Sequence, residues 1–85
     1  MRQYQEDIYN ALRKKSDWYG SKTGVETSRS GISQVFYCMS KIAVVNHKEK
    51  TAKIDNCGFT NAATTARINA VREFCKDYEY SIKEV

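Results

Sequence analysis

The sequence contains no proline, one histidine and one tryptophan, and four of its 85 residues are glycine. No proline-rich or other linker-like boundary divides the chain and no internal repeat is present, so we expect residues 1–85 to form a single small domain. No apolar run approaches the roughly 18 residues that a membrane span requires. The first residues, MRQYQEDIYNALRKK, are amphipathic and mixed in charge, unlike a secretory signal peptide. A cytoplasmic location is therefore the expectation.

The chain has few residues that bind metals or form disulfide bonds. Its three cysteines, Cys38, Cys57 and Cys75, are widely separated and form no C-x-x-C pair. An odd number of cysteines without that spacing argues against a disulfide framework and against a zinc ribbon or finger. The one histidine, His47, completes no familiar ligand spacing. We therefore expect no metal, no cofactor and three reduced thiols, most of them buried.

The sequence also lacks the residue patterns of common catalytic sites. His47 lies in the polar segment NHKEKT, which predicts an exposed hairpin tip unsuited to holding a tuned imidazole. Neither a G-x-x-x-x-G-K-[ST] nor a G-x-G-x-x-G motif is present to bind nucleotide phosphates. The carboxylates look like surface groups that keep the chain soluble. We expect the protein not to be an enzyme.

What the sequence does contain is a pattern of short secondary-structure elements. Apolar residues at helical spacing predict a first helix over residues 3–15. Residues 16–31 hold three of the four glycines and read as an irregular segment, with at most a short edge strand at residues 25–28. Strand-like segments follow at residues 32–39, 41–47 and 51–57, where β-branched and aromatic residues are frequent.

The stretch CGFTNAATTARINAV, residues 57–71, predicts the passage from a strand to a second helix. Gly58 permits the bend, and Thr60, Asn61 or Thr64 can cap the helix. Alternating residues near Tyr80 and Ile82 then suit a final edge strand. These elements predict an α+β fold in which a small antiparallel sheet of three to five strands is flanked by two helices, in the order α-β-β-β-α-β. Apolar residues on both strand faces indicate helices on one side and loops or a partner on the other.

The net charge of +4 is unevenly distributed. Residues 1–53 carry 10 basic and 5 acidic side chains, a balance of +5, which favours association with something anionic, either nucleic acid or an acidic protein face. Aromatic residues beside lysines can anchor a partner, although a lone tryptophan can equally close the end of a small core. The candidate partner-binding residues are Lys14, Lys15, Trp18, Tyr19, Lys22, Lys48 and Lys50.

Nucleic-acid binding is the alternative hypothesis. The order α-β-β-β-α is also that of double-stranded RNA binding domains, whose second helix presents lysines to phosphates. Here the corresponding segment, TNAATTARINAV, lacks a lysine cluster. The candidate nucleic-acid-binding residues would be Arg67 and Arg72, at or near the start of the second helix, together with Lys53.

Four segments, KIAVV, CGF, NAATT and RINAV, together resemble a family of small bacteriophage proteins. The pattern extends over residues 25–74 and leaves the first helix and the Trp18 segment outside it. The resemblance implies that Ile68 and Val71 lie in the core. Small phage proteins of this kind often block a host complex by covering its surface, as anti-CRISPR inhibitors do. The resemblance therefore implies a host protein or ribonucleoprotein complex as the partner, and an edge strand near Ile82 leaves a homodimer open.

Overall fold

The computed structural model describes residues 2–85 as two helices and a six-stranded sheet. The helices are α1 (Gln3–Lys14) and α2 (Ala62–Asp77). The strands are β1 (Trp18–Gly20), β2 (Thr23–Thr27), β3 (Ile32–Tyr37), β4 (Ser40–Asn46), β5 (Thr51–Ile54) and β6 (Ser81–Glu84). The predicted α+β class is confirmed, but the sheet has one strand more than the largest number expected.

The strands lie in the sheet in chain order, and the sheet is mixed. Strands β1 to β5 pair antiparallel through short turns, whereas β6 pairs parallel to β5. Helix α2 connects β5 to β6 and carries the chain back to the end of the sheet where β5 began, which requires parallel pairing. The expectation of a purely antiparallel sheet was therefore wrong at its last strand.

Residues 16–31, expected to be largely irregular, contain the whole of β1 and β2. The short edge strand expected at residues 25–28 is instead β2, which pairs with a strand on each side. Ser21 and Lys22 connect the two strands in a two-residue turn, both with positive φ angles of 52° and 57°. Gly24 of β2 lies beneath the ring of Tyr19, where an added Cβ would come within 3.1 Å of a ring carbon. Glycine at position 24 thus allows the Tyr19 ring to pack closely across the strands, and it does not mark an irregular segment.

Both helices pack on one face of the sheet and against each other. Along one row of that face, Val25, Val35, Ala43 and Ile54 are direct cross-strand partners, and all four are buried. The β3–β4 register shifts between Val35 and Phe36, so that Ile42 and Ala43 are both buried although they are adjacent. The core therefore lies between one sheet face and the helices, and no helix packs on the opposite face.

Helix α2 begins as one of the sequence alternatives predicts. Asn61 is its N-cap, and the side-chain Oδ1 accepts a hydrogen bond from the backbone N–H of Thr64 at 2.9 Å. Ile68 and Val71 of this helix are buried, as the family resemblance implied. Within residues 2–85, neither helix is both long enough and apolar enough to cross a membrane.

Candidate functional site: two grooves on opposite parts of the surface

An apolar groove lies on the sheet face that carries no helix. It has a volume of about 680 Å³ and is bounded by the rings of Tyr19 in β1 and Phe36 in β3. Gly24 is the cross-strand partner of both residues, so the two aromatic side chains stand on either side of a position without a side chain. We call this the Tyr19 groove; its lining residues are Tyr19, Gly20, Lys22, Thr23, Gly24, Glu26, Phe36, Cys38 and Met39.

Tyr19 is exposed but held in place. Its side chain is 62 % exposed, its ring packs on Gly24, and its hydroxyl donates a hydrogen bond to the carboxylate of Glu26. That hydrogen bond, more than any other influence, raises the pKa of Tyr19 to about 12. The hydroxyl therefore stays protonated at neutral pH, and the ring presents an apolar surface in a fixed orientation.

Met39 extends the rim of the Tyr19 groove from the β3–β4 turn. The side chain is 97 % exposed, which is unusual for a large apolar residue. Cys38 and Met39 form this turn with positive φ angles of 50° and 68°. The left-handed conformation costs a non-glycine residue about 1–2 kcal/mol, so the rest of the fold maintains this turn against a local preference.

A second groove, of about 470 Å³, lies where the end of α1 meets the β2–β3 and β4–β5 turns. It contains three basic residues, and we call it the basic groove. Its lining residues are Lys15, Thr27, Ser28, Arg29, Gly31, His47 and Lys48. It shares no lining residue with the Tyr19 groove.

The predicted partner-binding residues do not meet at a single surface. Tyr19 and Lys22 line the Tyr19 groove, whereas Lys15 and Lys48 line the basic groove. Trp18 lies on the opposite sheet face from Tyr19, half-buried against the core. Lys14 and Lys50 are exposed and line neither of the two grooves. The Trp18 side chain thus closes the core, which was the structural alternative for this residue.

The three candidate nucleic-acid-binding residues are also apart. Arg67 is buried with 6 % of its surface exposed, and its guanidinium donates hydrogen bonds within the fold. Arg72 forms an ion pair with Glu84 of β6. Lys53 is exposed on β5, and its cross-strand partner in β6 is Lys83. Of these three cations, only Lys53 is free of a partner among the side chains of residues 2–85.

The expectation that His47 is exposed was wrong. Its side chain is 8 % exposed, with Nε2 2.7 Å from the Ser33 hydroxyl and Nδ1 2.9 Å from the Tyr80 hydroxyl. His47 is the first residue of the β4–β5 turn, and its ring packs edge-on against Phe74 of α2. Burial, and secondly the positive charge of Lys15, lower the pKa of His47 below its usual 6.5.

The cysteines divide differently from the expectation that most are buried. Cys75 is buried in α2, but Cys38 and Cys57 are exposed in turns and have positive φ angles. Burial raises the pKa of the Cys75 thiol to about 11. Residues 2–85 contain no group of three or more histidine, cysteine, aspartate or glutamate side chains placed to hold a metal ion.

Residues 1–84 match the sequence profile of the Kyanoviridae Gp96 protein family. The chain belongs to this family. This match confirms that the chain belongs to a family of phage proteins, as its resemblance to small bacteriophage proteins indicated. The match includes α1 and the Trp18 segment, which the sequence pattern had left out. No curated protein and no solved structure matches the chain.

Proposed function

We propose that this phage protein binds a host protein through the Tyr19 groove and blocks it stoichiometrically, without turnover. The observation that supports this most directly is the convergence of Tyr19, Phe36 and Met39 around one concavity on the sheet face that lacks a helix. Exposed apolar patches on small soluble proteins mark interaction sites. Aromatic residues and methionine are enriched in such interfaces, because they offer large contact areas and adaptable packing.

The borders of the groove suggest the chemistry of the partner. Lys22 and Glu26 line the groove beside its apolar centre, and together they leave it without a net charge. An apolar centre with a polar rim suits a protein surface that inserts one or two apolar side chains and surrounds them with polar groups. Since Tyr19 is already held by Gly24 and Glu26, binding would order few additional side chains.

The host target that we propose is a protein or ribonucleoprotein complex of the defence machinery, met in the host cytoplasm. Membership of a phage family supports a host target in general. Inhibition of the anti-CRISPR type is the form suggested by analogy with other small phage proteins, and an analogy of this kind does not itself define an activity.

The test is a pull-down from host lysate with matched variants, followed by mass spectrometry. We expect Tyr19→Ala with Met39→Ser to lose a partner that the unaltered protein retains, because truncating anchor side chains commonly weakens binding about 30-fold or more. Tyr78→Ala is the control, since Tyr78 is 41 % exposed and lines neither groove. Circular dichroism establishes that both variants fold. Retention of every captured protein by the groove variant would refute the proposal.

A further inference from the structure

The basic groove is built from three segments that are distant in the sequence. Lys15 follows α1, Arg29 lies in the β2–β3 turn, and Lys48 lies in the β4–β5 turn. The two turns are joined by a hydrogen bond from the backbone N–H of His47 to the carbonyl of Gly31 at 2.9 Å. The groove is therefore part of the folded framework and does not depend on one mobile loop.

Lys48 is held across the neighbouring turn. Gly31 has a φ angle of 84°, and a Cβ added there would lie 3.4 Å from Cγ of Lys48. That distance is an ordinary van der Waals contact, so the aliphatic part of Lys48 lies beside the β2–β3 turn, which also carries Arg29. Two cations from separate turns are brought to the same groove in this way.

The charged residues that line the basic groove are all basic. No acidic residue lines it. Arg72 and Glu84 form the one ion pair within residues 2–85. The side-chain nitrogens of Lys15, Arg29 and Lys48 therefore have no carboxylate oxygen within 4.0 Å.

The two nearest carboxylates by sequence make other contacts. Asp17 accepts a hydrogen bond from the backbone N–H of Thr27 at 2.8 Å. Glu49 accepts one from the side chain of Asn46 at 3.1 Å. Neither side chain lines the groove. The lining thus holds three cations and no carboxylate, while Asp17 lies at its border on the backbone N–H of Thr27, and this excess of positive charge raises the local concentration of anions.

We propose that the basic groove binds the phosphate group of a nucleotide or nucleic acid. Lysine and arginine side chains supply the charge, and both commonly contact phosphate oxygens. The hydroxyl of Ser28 also lines the groove, where it lies 2.7 Å from the Ser30 hydroxyl. Free nucleotides and a polynucleotide backbone offer the same group. The residues differ from Arg67, Arg72 and Lys53, and the site is independent of the Tyr19 groove and of its proposed protein partner.

His47 provides a reporter within the site, since it is the one histidine of the chain and its imidazole signals in an NMR spectrum are unambiguous. It faces Ser33 of β3, Tyr80 before β6, Phe74 of α2 and the charge of Lys15. An anion bound beside Lys15 would offset the positive field and favour the imidazolium. We expect a higher His47 pKa in sodium phosphate than in sodium chloride of equal ionic strength.

The variant Lys15→Gln with Lys48→Gln tests that assignment. Its His47 pKa should be higher than that of the unaltered protein in chloride, because the charge of Lys15 is gone, and should no longer respond to phosphate. The control Lys41→Gln with Lys53→Gln removes the same charge from side chains outside the groove and should respond like the unaltered protein. An unaltered protein whose His47 pKa is the same in phosphate and chloride would overturn the proposal.

Fluorescence anisotropy with a labelled nucleoside monophosphate and a labelled single-stranded oligonucleotide separates the two sources of phosphate. Three contacts to a single strand predict that log K falls with log salt at a slope of about −2, and the groove variant should reduce the slope to about −0.7. Tighter binding of the oligonucleotide supports a nucleic-acid ligand, and equal binding supports a single phosphate group. Equal weakening by the groove and control variants would show charge-driven association without a site and would contradict the proposal.

Discussion

Nε of Arg67 in α2 lies 2.6 Å from Oγ1 of Thr23 in β2, 44 residues earlier in the chain. The same guanidinium donates to the backbone carbonyls of Ser21 at 2.9 Å and Ala63 at 2.7 Å. One side chain therefore joins the second helix to the β1–β2 hairpin, whose turn contains Ser21. Because Lys22 and Thr23 line the Tyr19 groove, this buried cation also supports the proposed binding surface from behind.

Arg67→Ala should strongly destabilise the protein. The substitution removes three hydrogen bonds from a charged donor and the stacking of the guanidinium between the rings of Tyr4 and Tyr37, at 4.3 and 4.1 Å from their centroids. Losses of this kind amount to about 3 kcal/mol in the free energy of unfolding. The control Arg72→Ala disrupts the exposed pair with Glu84 and should cost no more than about 1 kcal/mol. Urea denaturation measures both, and equal effects would contradict the structural role given to Arg67.

Thr64→Val should stabilise the protein. The Thr64 hydroxyl is buried and has no hydrogen-bond partner within residues 2–85, whereas valine keeps the branched shape and removes the polar atom. An unsatisfied buried polar group costs about 1–3 kcal/mol, so a gain of about 1 kcal/mol is expected. The matched control is Thr65→Val, which removes a hydroxyl that donates to the carbonyl of Asn61 at 3.1 Å and should not stabilise. Thermal unfolding compares the stability of each variant with that of the unaltered protein. A loss of stability in Thr64→Val would count against the described packing.

Stability should fall on acidification in a way that depends on His47. Burial, with the charge of Lys15, lowers the pKa of His47 in the folded protein, so the unfolded chain takes up a proton first as the pH falls below about 6.5. The contribution is fully present above that pH and is lost progressively down to the folded-state pKa. His47→Gln should show a weaker decline in stability as the pH falls below about 6.5. Chemical denaturation at each pH gives the free energy of unfolding of the unaltered protein and of His47→Gln. The difference between the two pH profiles separates the contribution of His47 from that of the carboxylates, and parallel profiles would exclude such a contribution.

The three thiols should react in two classes. Cys38 and Cys57 are exposed, while burial of Cys75 raises the pKa of its thiol to about 11 and shields it from reagents. Iodoacetamide at neutral pH should modify two sites in the native protein and the third only in denaturant. Peptide mass spectrometry assigns the sites. Modification of Cys75 at the rate of the other two, in the absence of denaturant, would show that α2 is not packed as described.

Much of the helical layer could be read from the sequence. Ile8, Leu12, Ile68 and Val71 follow helical spacing, and all four are buried. Asn61 stood among the capping candidates and caps α2. Such features are local, because a helix places residues three and four apart on one face whatever lies beyond it. The general class of the fold followed from the same local patterns.

The two grooves could not be predicted in this way. Tyr19 and Phe36 meet across Gly24 only when β1, β2 and β3 pair in one particular register. Gly24 belongs to a segment rich in glycine, serine and threonine, a composition typical of irregular chain, and Arg29 forms no recognised motif with its sequence neighbours. Position 29 becomes part of a cationic site because two turns from different hairpins lie side by side, an arrangement that strand pairing creates and no short stretch of sequence encodes.

The amino-acid sequence by itself determined two amphipathic helices, the strand-forming segments at residues 32–57 and near Tyr80, three capping candidates for α2 and the resemblance to a phage family, since each depends on residues close together in the chain. Only the tertiary structure decided that Arg67 is internal, that His47 is buried, and that Tyr19 faces the open side of the sheet while Trp18 faces the core. The physical reason is that burial and charge compensation are set by neighbours distant in sequence, which the register of the sheet and the packing of the helices bring together.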